Sequence, residues 1–167
     1  MSKLKPDYYY DDISEIPLPM LKEQGIRAVI CDLDNTLDCH ETPTPSEKAL
    51  AFLNDLRSFG FEVCIISNGK QPRVDRYVQG LGIPYIAKAG KPAKKSYLKA
   101  LKAVKCKPKA AAFVGDQIFT DTWGANRLGI TTILVEPIKS IENPFFYPKR
   151  FLEKILKANI KKSDLHV

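Results

Sequence analysis

The sequence predicts a doubly wound α/β domain, a mostly parallel sheet sandwiched between helices in three layers. Two observations carry that expectation. Short apolar, β-branched runs alternate along the chain with stretches patterned at helical spacing, as in parallel sheets whose strands are buried on both faces. The length, 167 residues, suits one domain spanning 1–167, large enough to bury roughly 70% of the unfolded chain's surface.

Strands are expected at 26–32, 61–67, 84–87 (short), 110–115 and 131–135. Between the first two lies an apolar stripe at helical spacing: Ala49, Leu50, Phe52, Leu53, Leu56 and Phe59. Thr44-Pro45-Ser46-Glu47 before it reads as a capping box, with Thr44 as N-cap and Pro45 at the first helical position. A second helix should start at Gln71-Pro72 and stop near Gly80 or Gly82. Pro92 opens a third, with Tyr97, Leu98, Leu101 and Val104 inward, and a fourth should run from about 120 to 128, stopped by Gly129. Pro148 begins a C-terminal helix using Phe151, Leu152, Ile155 and Leu156. Residues 1–25 lack regular patterning and read as an arm packing through Ile13, Ile16, Leu18, Met20 and Leu21.

No apolar run approaches the roughly 20 residues of a membrane span, and no secretory leader is visible, so a cytoplasmic protein is expected. Cys31, Cys39, Cys64 and Cys106 form no C-x-x-C pair, and the histidines are His40 and His166 only; a thiolate metal site or disulfide framework is not expected. Cys31 and Cys64 sit in apolar runs and read as small buried hydrophobes. A net charge of +7 points to an anionic partner.

The chemistry gathers at strand ends. The first strand runs into Asp32-Leu33-Asp34, and the fourth ends in Gly115-Asp116 with Asp121 five residues on. Either acidic pair alone reads as turn or capping chemistry. Both at corresponding strand ends point to one site, because open α/β sheets bind ligands where the strand order reverses. Were those two strands neighbours, Asp32, Asp34 and Asp116 would converge, and Mg²⁺ suits such a hard-oxygen set. Ser67-Asn68-Gly69 closes the second strand; it is an ordinary turn by itself, yet able to cradle phosphoryl oxygens. Lys91, just ahead of the third helix, puts an ammonium at the same sheet end.

Taken in order, Asp32-x-Asp34-x-Thr36, Ser67, Lys91-Pro92 and Gly115-Asp116-x-x-x-x-Asp121 resemble the four motifs of the haloacid dehalogenase (HAD) superfamily. The stretches Asp-Leu-Asp-Asn-Thr-Leu and Gly-Asp-Gln-Ile-Phe-Thr-Asp, with Gly124 and Asn126 following, are similar to the YqeG group of subfamily IIIA, over residues from about 5 to 155. That group is related to mitochondrial phosphatidylglycerophosphatases. The resemblance implies a Rossmann-like three-layer sandwich and a Mg²⁺-dependent phosphatase. It makes Asp32 the nucleophile, Asp34 the general acid and base, and Asp32, Asp116 and the Asp34 carbonyl the metal ligands. Thr36, Ser67, Asn68 and Lys91 become the substrate contacts, and Asp121 orients Lys91 or a metal-bound water from behind.

Thirty residues separate Thr36 from Ser67 and 23 separate Ser67 from Lys91, room for one helix and loops in each gap and for no cap domain. An open site of this kind suits a bulky phosphomonoester: a phospholipid headgroup at a membrane surface, or a terminal phosphate on protein or nucleic acid. The loop 38–43 is the one candidate flap, with Cys39 and His40 at the entrance. Nine lysines and no acid lie between Lys88 and Lys109, and residues 139–167 hold seven basic and three acidic residues. These read as solvated surface or as a bed for anionic lipid. Nucleic acid ranks lower, because only Tyr97 interrupts the first lysine run. Phe145-Phe146-Tyr147 before Lys149-Arg150 would serve either as an interfacial anchor or as core packing. A phospho-acceptor module without turnover is the non-enzymatic rival, though receivers place their paired acids adjacent and not alternating.

Overall fold

In the computed structural model, which describes residues 3–138, 147–158 and 160–163, the strand β2 (Ala28–Asp32) is the axis of the molecule. All five of its residues are buried, and it pairs on one side with β3 (Glu62–Ile66) and on the other with β5 (Ala111–Gly115). Outside β3 lies the two-residue β4 (Tyr85–Ile86); outside β5 lie β6 (Thr131–Val135) and then β1 (Tyr8–Tyr10). Every pairing is parallel. The order β1-β6-β5-β2-β3-β4 reverses between β2 and β5, and there the carboxyl ends of neighbouring strands leave a crevice. Cys31 stands opposite Val114, so Asp32 is level with Gly115 and one residue from Asp116.

Alternation along the strands sends side chains to two cores. Val29, Cys31, Val63, Ile65 and Val114 face α1 (Leu18–Glu23), α2 (Glu47–Ser58) and α3 (Gln71–Val78). Ala28, Ile30, Cys64, Ile66 and Phe113 face α4 (Lys94–Ala103) and α5 (Trp123–Asn126). A final helix, α6 (Tyr147–Ala158), lays Leu156 against Tyr9 and Leu134. Cys31 and Cys64 are buried core, and burial pushes both thiols up, Cys64 to about 12; neither is a thiolate nucleophile at neutral pH. Between β2 and β3 the chain makes a loop and α2, and between β3 and β4 a loop and α3; among the described residues there is no cap domain. Among the described residues no helix is long and apolar enough to cross a membrane.

Several elements depart from the sequence pattern. The arm holds a strand, β1, built from three β-forming tyrosines too short a run to show alternation; its Ile13, Ile16, Leu18 and Leu21 are buried as expected. The N-cap of α2 is Ser46, not Thr44: its hydroxyl accepts from Ala49 N, while its own N–H donates to Asp38 at 2.9 Å and holds the chain extended there. On α4 the buried stripe is Tyr97, Ala100, Leu101 and Val104, and Leu98, one position round the helix, is 50% exposed. The expected fourth helix splits into a wide π turn, Ile118–Thr122, and the short α5. On α6, Leu152 and Ile155 are 53% and 46% exposed instead of buried. The aromatic anchor at residues 145 and 146 and His166 lie outside the described residues.

Candidate active site

Three carboxylates and one ammonium gather at the reversal between β2 and β5, and the ammonium is held by two of them. Lys91 Nζ donates to Asp32 Oδ1 at 2.5 Å and to Asp121 Oδ1 at 2.7 Å, and all three side chains are almost wholly buried. Of the nine lysines from Lys88 to Lys109, Lys91 alone is buried; the other eight are exposed. Asp32 ends β2 and Asp116 follows β5, whereas Asp121 arrives on the wide turn 118–122. Gly115 makes that approach possible, since a Cβ there would sit 2.5 Å from Asp121 Oδ2. Gly124 does the same for Tyr97, whose hydroxyl would collide with a Cβ at 124.

The electrostatics show what the cluster costs. Burial pushes Asp32 up to about 7, with the Asp121 charge adding to it and the Lys91 ammonium opposing it. Asp116 is pushed well above its usual range, by burial first and then by Asp121 and Asp32. Burial pulls the Lys91 ammonium down, but Asp121 and Asp32 overcome this and hold it above its ordinary value. With all three carboxylates ionised, one cation would face them with an excess of two negative charges in a buried space.

That excess is the test of whether a divalent ion fits, and the donors pass it. Carboxylate oxygens of Asp32, Asp116 and Asp121 lie within 4.8 Å of one another, and Asp116 Oδ2 is buried with no hydrogen-bond partner among the described residues. An all-oxygen set with spare lone pairs suits a hard cation. Thr36 Oγ1, at 3.2 Å from Asp32 Oδ2 and 3.4 Å from Asp116 Oδ1, sits between the two carboxylates.

Asp34 points to different company. Its Oδ2 accepts from the Ser67 hydroxyl at 2.7 Å, and its Oδ1 meets Arg73 Nη2 at 2.8 Å and His40 Nδ1 at 3.0 Å. Ser67 Oγ in turn accepts from Gly69 N at 2.8 Å, so the Ser-Asn-Gly turn fixes the hydroxyl. Asn68, expected at the substrate, has its amide engaged on the Lys91 backbone, accepting from Lys91 N at 2.8 Å and donating to Lys91 O at 3.3 Å. It thereby ties the end of β3 to the lysine. Two carboxylates two residues apart therefore live in different surroundings, Asp32 buried beside an ammonium and Asp34 partly open beside a hydroxyl and a guanidinium.

Arg73 is the site residue that no motif announces. Its guanidinium donates to the carbonyls of His40 (2.7 Å) and Cys39 (3.3 Å) while pairing with Asp34. The loop it grips is anchored at its base, where buried Asp38 accepts from Ser46 N and, at 2.5 Å, from the Tyr77 hydroxyl. Asn35, at φ +63°, makes the tight turn that starts this loop, in a region where Asn is tolerated.

Comparison with known proteins agrees with this architecture. Residues 13–129 match the family model described as haloacid dehalogenase-like hydrolase. The chain is 33% identical to "Probable phosphatase YqeG" of Bacillus subtilis (strain 168), over 94% of this chain and 91% of that protein. It is 26% identical to "Phosphatidylglycerophosphate phosphatase 1, chloroplastic/mitochondrial" of Arabidopsis thaliana, over 84% of this chain but only 43% of that longer protein. In three dimensions a HAD phosphatase from Thermococcus onnurineus shares the fold at a TM-score of 0.57 and 14% identity, over 77% of this chain and 99% of that one. The chain belongs to the haloacid dehalogenase-like hydrolases. Within that family it stands among the phosphatases.

Proposed function

We propose that this phosphatase hydrolyses phosphate monoesters with Mg²⁺ through an aspartyl-phosphate on Asp32. The observation that supports the reading is the pairing of unlike carboxylates: Asp32 against Lys91 in the buried cluster, and Asp34 one pleat away with its own donors. Asp32 attacks phosphorus, forming the acyl phosphate as the bond to the leaving oxygen breaks, and Asp34 gives that oxygen its proton. Asp34 then takes a proton from water, whose oxygen displaces Asp32 and releases inorganic phosphate. Lys91 holds Asp32 in place and neutralises the transferring group, with Asp121 orienting Lys91 from behind; the Ser67 and Thr36 hydroxyls supply donors to its oxygens. Asp32, Asp116 and the Asp34 carbonyl would hold the metal, whose charge shields nucleophile from phosphate.

For the substrate, the reading is a phospholipid headgroup, phosphatidylglycerophosphate. It is supported by similarity to the Arabidopsis protein of that name, by a site with no cap, and by the exposed Leu152 and Ile155 on a segment rich in lysine. The test is phosphate release from that lipid in mixed micelles, beside a phosphopeptide and a 5′-phosphorylated oligonucleotide, with EDTA and Asp32→Asn as controls. Lipid turnover that needs Mg²⁺ and vanishes in Asp32→Asn is expected. Undiminished activity in Asp32→Asn would overturn the mechanism, and turnover of another substrate without the lipid would overturn the substrate.

A further inference from the structure

A groove of about 300 Å³ opens between the 38–43 loop and the start of α3, with His40 and Arg73, the two side chains that meet Asp34 Oδ1, in its wall. We propose that it is a leaving-group subsite that selects phosphomonoesters carrying a second anionic group, a phosphate or a phosphodiester, which Lys70, Arg73 and Arg76 receive. The inference rests on the reading of Asp34 as the acid that faces the departing oxygen, since that fixes which side of the scissile phosphate the groove serves.

Arg73 joins the groove to the chemistry, because one end of its guanidinium pairs with Asp34 and the residue lines the groove. Its other terminal nitrogen, Nη1, is buried and has no hydrogen-bond partner among the described residues, so the guanidinium's hydrogen bonding is incomplete and its desolvation uncompensated. Lys70 and Arg76 are exposed on the same wall and make no ion pair among the described residues. The nearby carboxylate on their own helix, Asp75, is engaged by Gln71 and the Tyr85 hydroxyl. On the opposite wall Glu41 is the single acid and His40 stands against Asp34. The groove is therefore cationic in balance, and its Pro43 and Pro72 side chains offer apolar sides to a carbon linker. A larger concavity, about 850 Å³, is also basic through Lys22, Arg27, Lys105 and Lys107. It lies at the amino-terminal ends of the strands, away from the carboxylates, and has no buried orphaned donor.

The experiment compares kcat/KM for matched α,ω-diol monophosphates and bisphosphates from ethane- to butanediol, with Mg²⁺ present. The wild type should prefer the bisphosphate by about tenfold beyond the statistical factor of two for its equivalent ends, the worth of two partly screened ion pairs. Lys70→Gln/Arg76→Gln should bring the ratio down to that statistical factor. The charge-preserving Lys70→Arg/Arg76→Lys should retain it, and so should Lys102→Gln on the exposed face of α4. Equal kcat/KM in the wild type, or a preference that survives the double glutamine variant, would overturn the subsite while leaving the phosphatase intact. Hydrolysis of neither substrate series would instead remove the reaction, and the subsite with it.

Discussion

Replacing Lys91 with methionine keeps an unbranched apolar stem of similar length and removes the charge, which isolates what the ammonium does for the fold. Its Nζ lies 2.5 Å from Asp32 and 2.7 Å from Asp121, and taking one partner from a buried ion pair costs about 3–5 kcal/mol. The loss has a ceiling, because a stranded carboxyl can take up a proton. From the ordinary value of 3.8, holding that proton costs about 1.6 kcal/mol at pH 5 and about 5.7 kcal/mol at pH 8, at about 1.36 kcal/mol per unit. A carboxyl whose value is raised by folding favours the native state below about pH 4 and loses that contribution as pH climbs through the native value. Lys91→Met should therefore lose about 4 kcal/mol at pH 8 and less than half of that at pH 5. With a urea slope of about 2 kcal/mol/M, the midpoint in EDTA should fall by about 2 M at pH 8 and by under 1 M at pH 5. An unchanged midpoint at pH 8, or the same loss at both pH values, would refute the account of the cluster.

Two further expectations come from the same cluster. Gly115→Ala forces a Cβ against the Asp121 carboxylate, so it should cost about 1–3 kcal/mol by overpacking and lower kcat more than it raises KM; an unaltered melting temperature would show that Asp121 moves freely. Burial raises the proton affinity of the Asp32 and Asp116 carboxyls, so protons should compete with Mg²⁺ for them and its stabilisation should be larger at pH 8 than at pH 5.5. At a hundredfold excess over Kd it should reach about 2.7 kcal/mol and disappear in Asp116→Asn. Equal stabilisation at both pH values, measured by thermal unfolding, would count against those carboxyls as ligands.

The parts of the site that sit at strand ends were legible because a buried parallel strand announces itself as a continuous apolar run. The acids that end such runs, Asp32 and Asp116, must then meet wherever the strand order reverses. Arg73 was not legible: it lies 39 residues from Asp34 in an ordinary helical stretch, and only the folding of the loop brings them together. Asn68 looked like turn chemistry, and its clasp on the Lys91 backbone is a property of two strand ends being neighbours. The wide turn at 118–122 also escaped, because helical spacing does not distinguish an α from a π turn; its signal in retrospect is Gly115 and Gly124, both pressed by side chains. Thr44-Pro45 carried a good capping pattern, but Asp38 captured the amide of Ser46 and moved the cap.

The strand β1 has a consequence for the order in which the chain can be completed. Among the described residues its one strand partner is β6, Tyr8 opposite Ile133 and Tyr10 opposite Val135, so of the described strands the first synthesised is the last to find its neighbour. At 5–20 residues per second, its tyrosines wait roughly 6–25 s on the ribosome before their partner exists. During that interval a run of three β-forming residues is open to other chains, and Asp7, Asp11 and Asp12 beside it act as gatekeepers against such pairing. In the folded sheet Asp7 accepts from the Thr132 backbone N–H and hydroxyl, so the same acid that guards the strand also fastens it to β6.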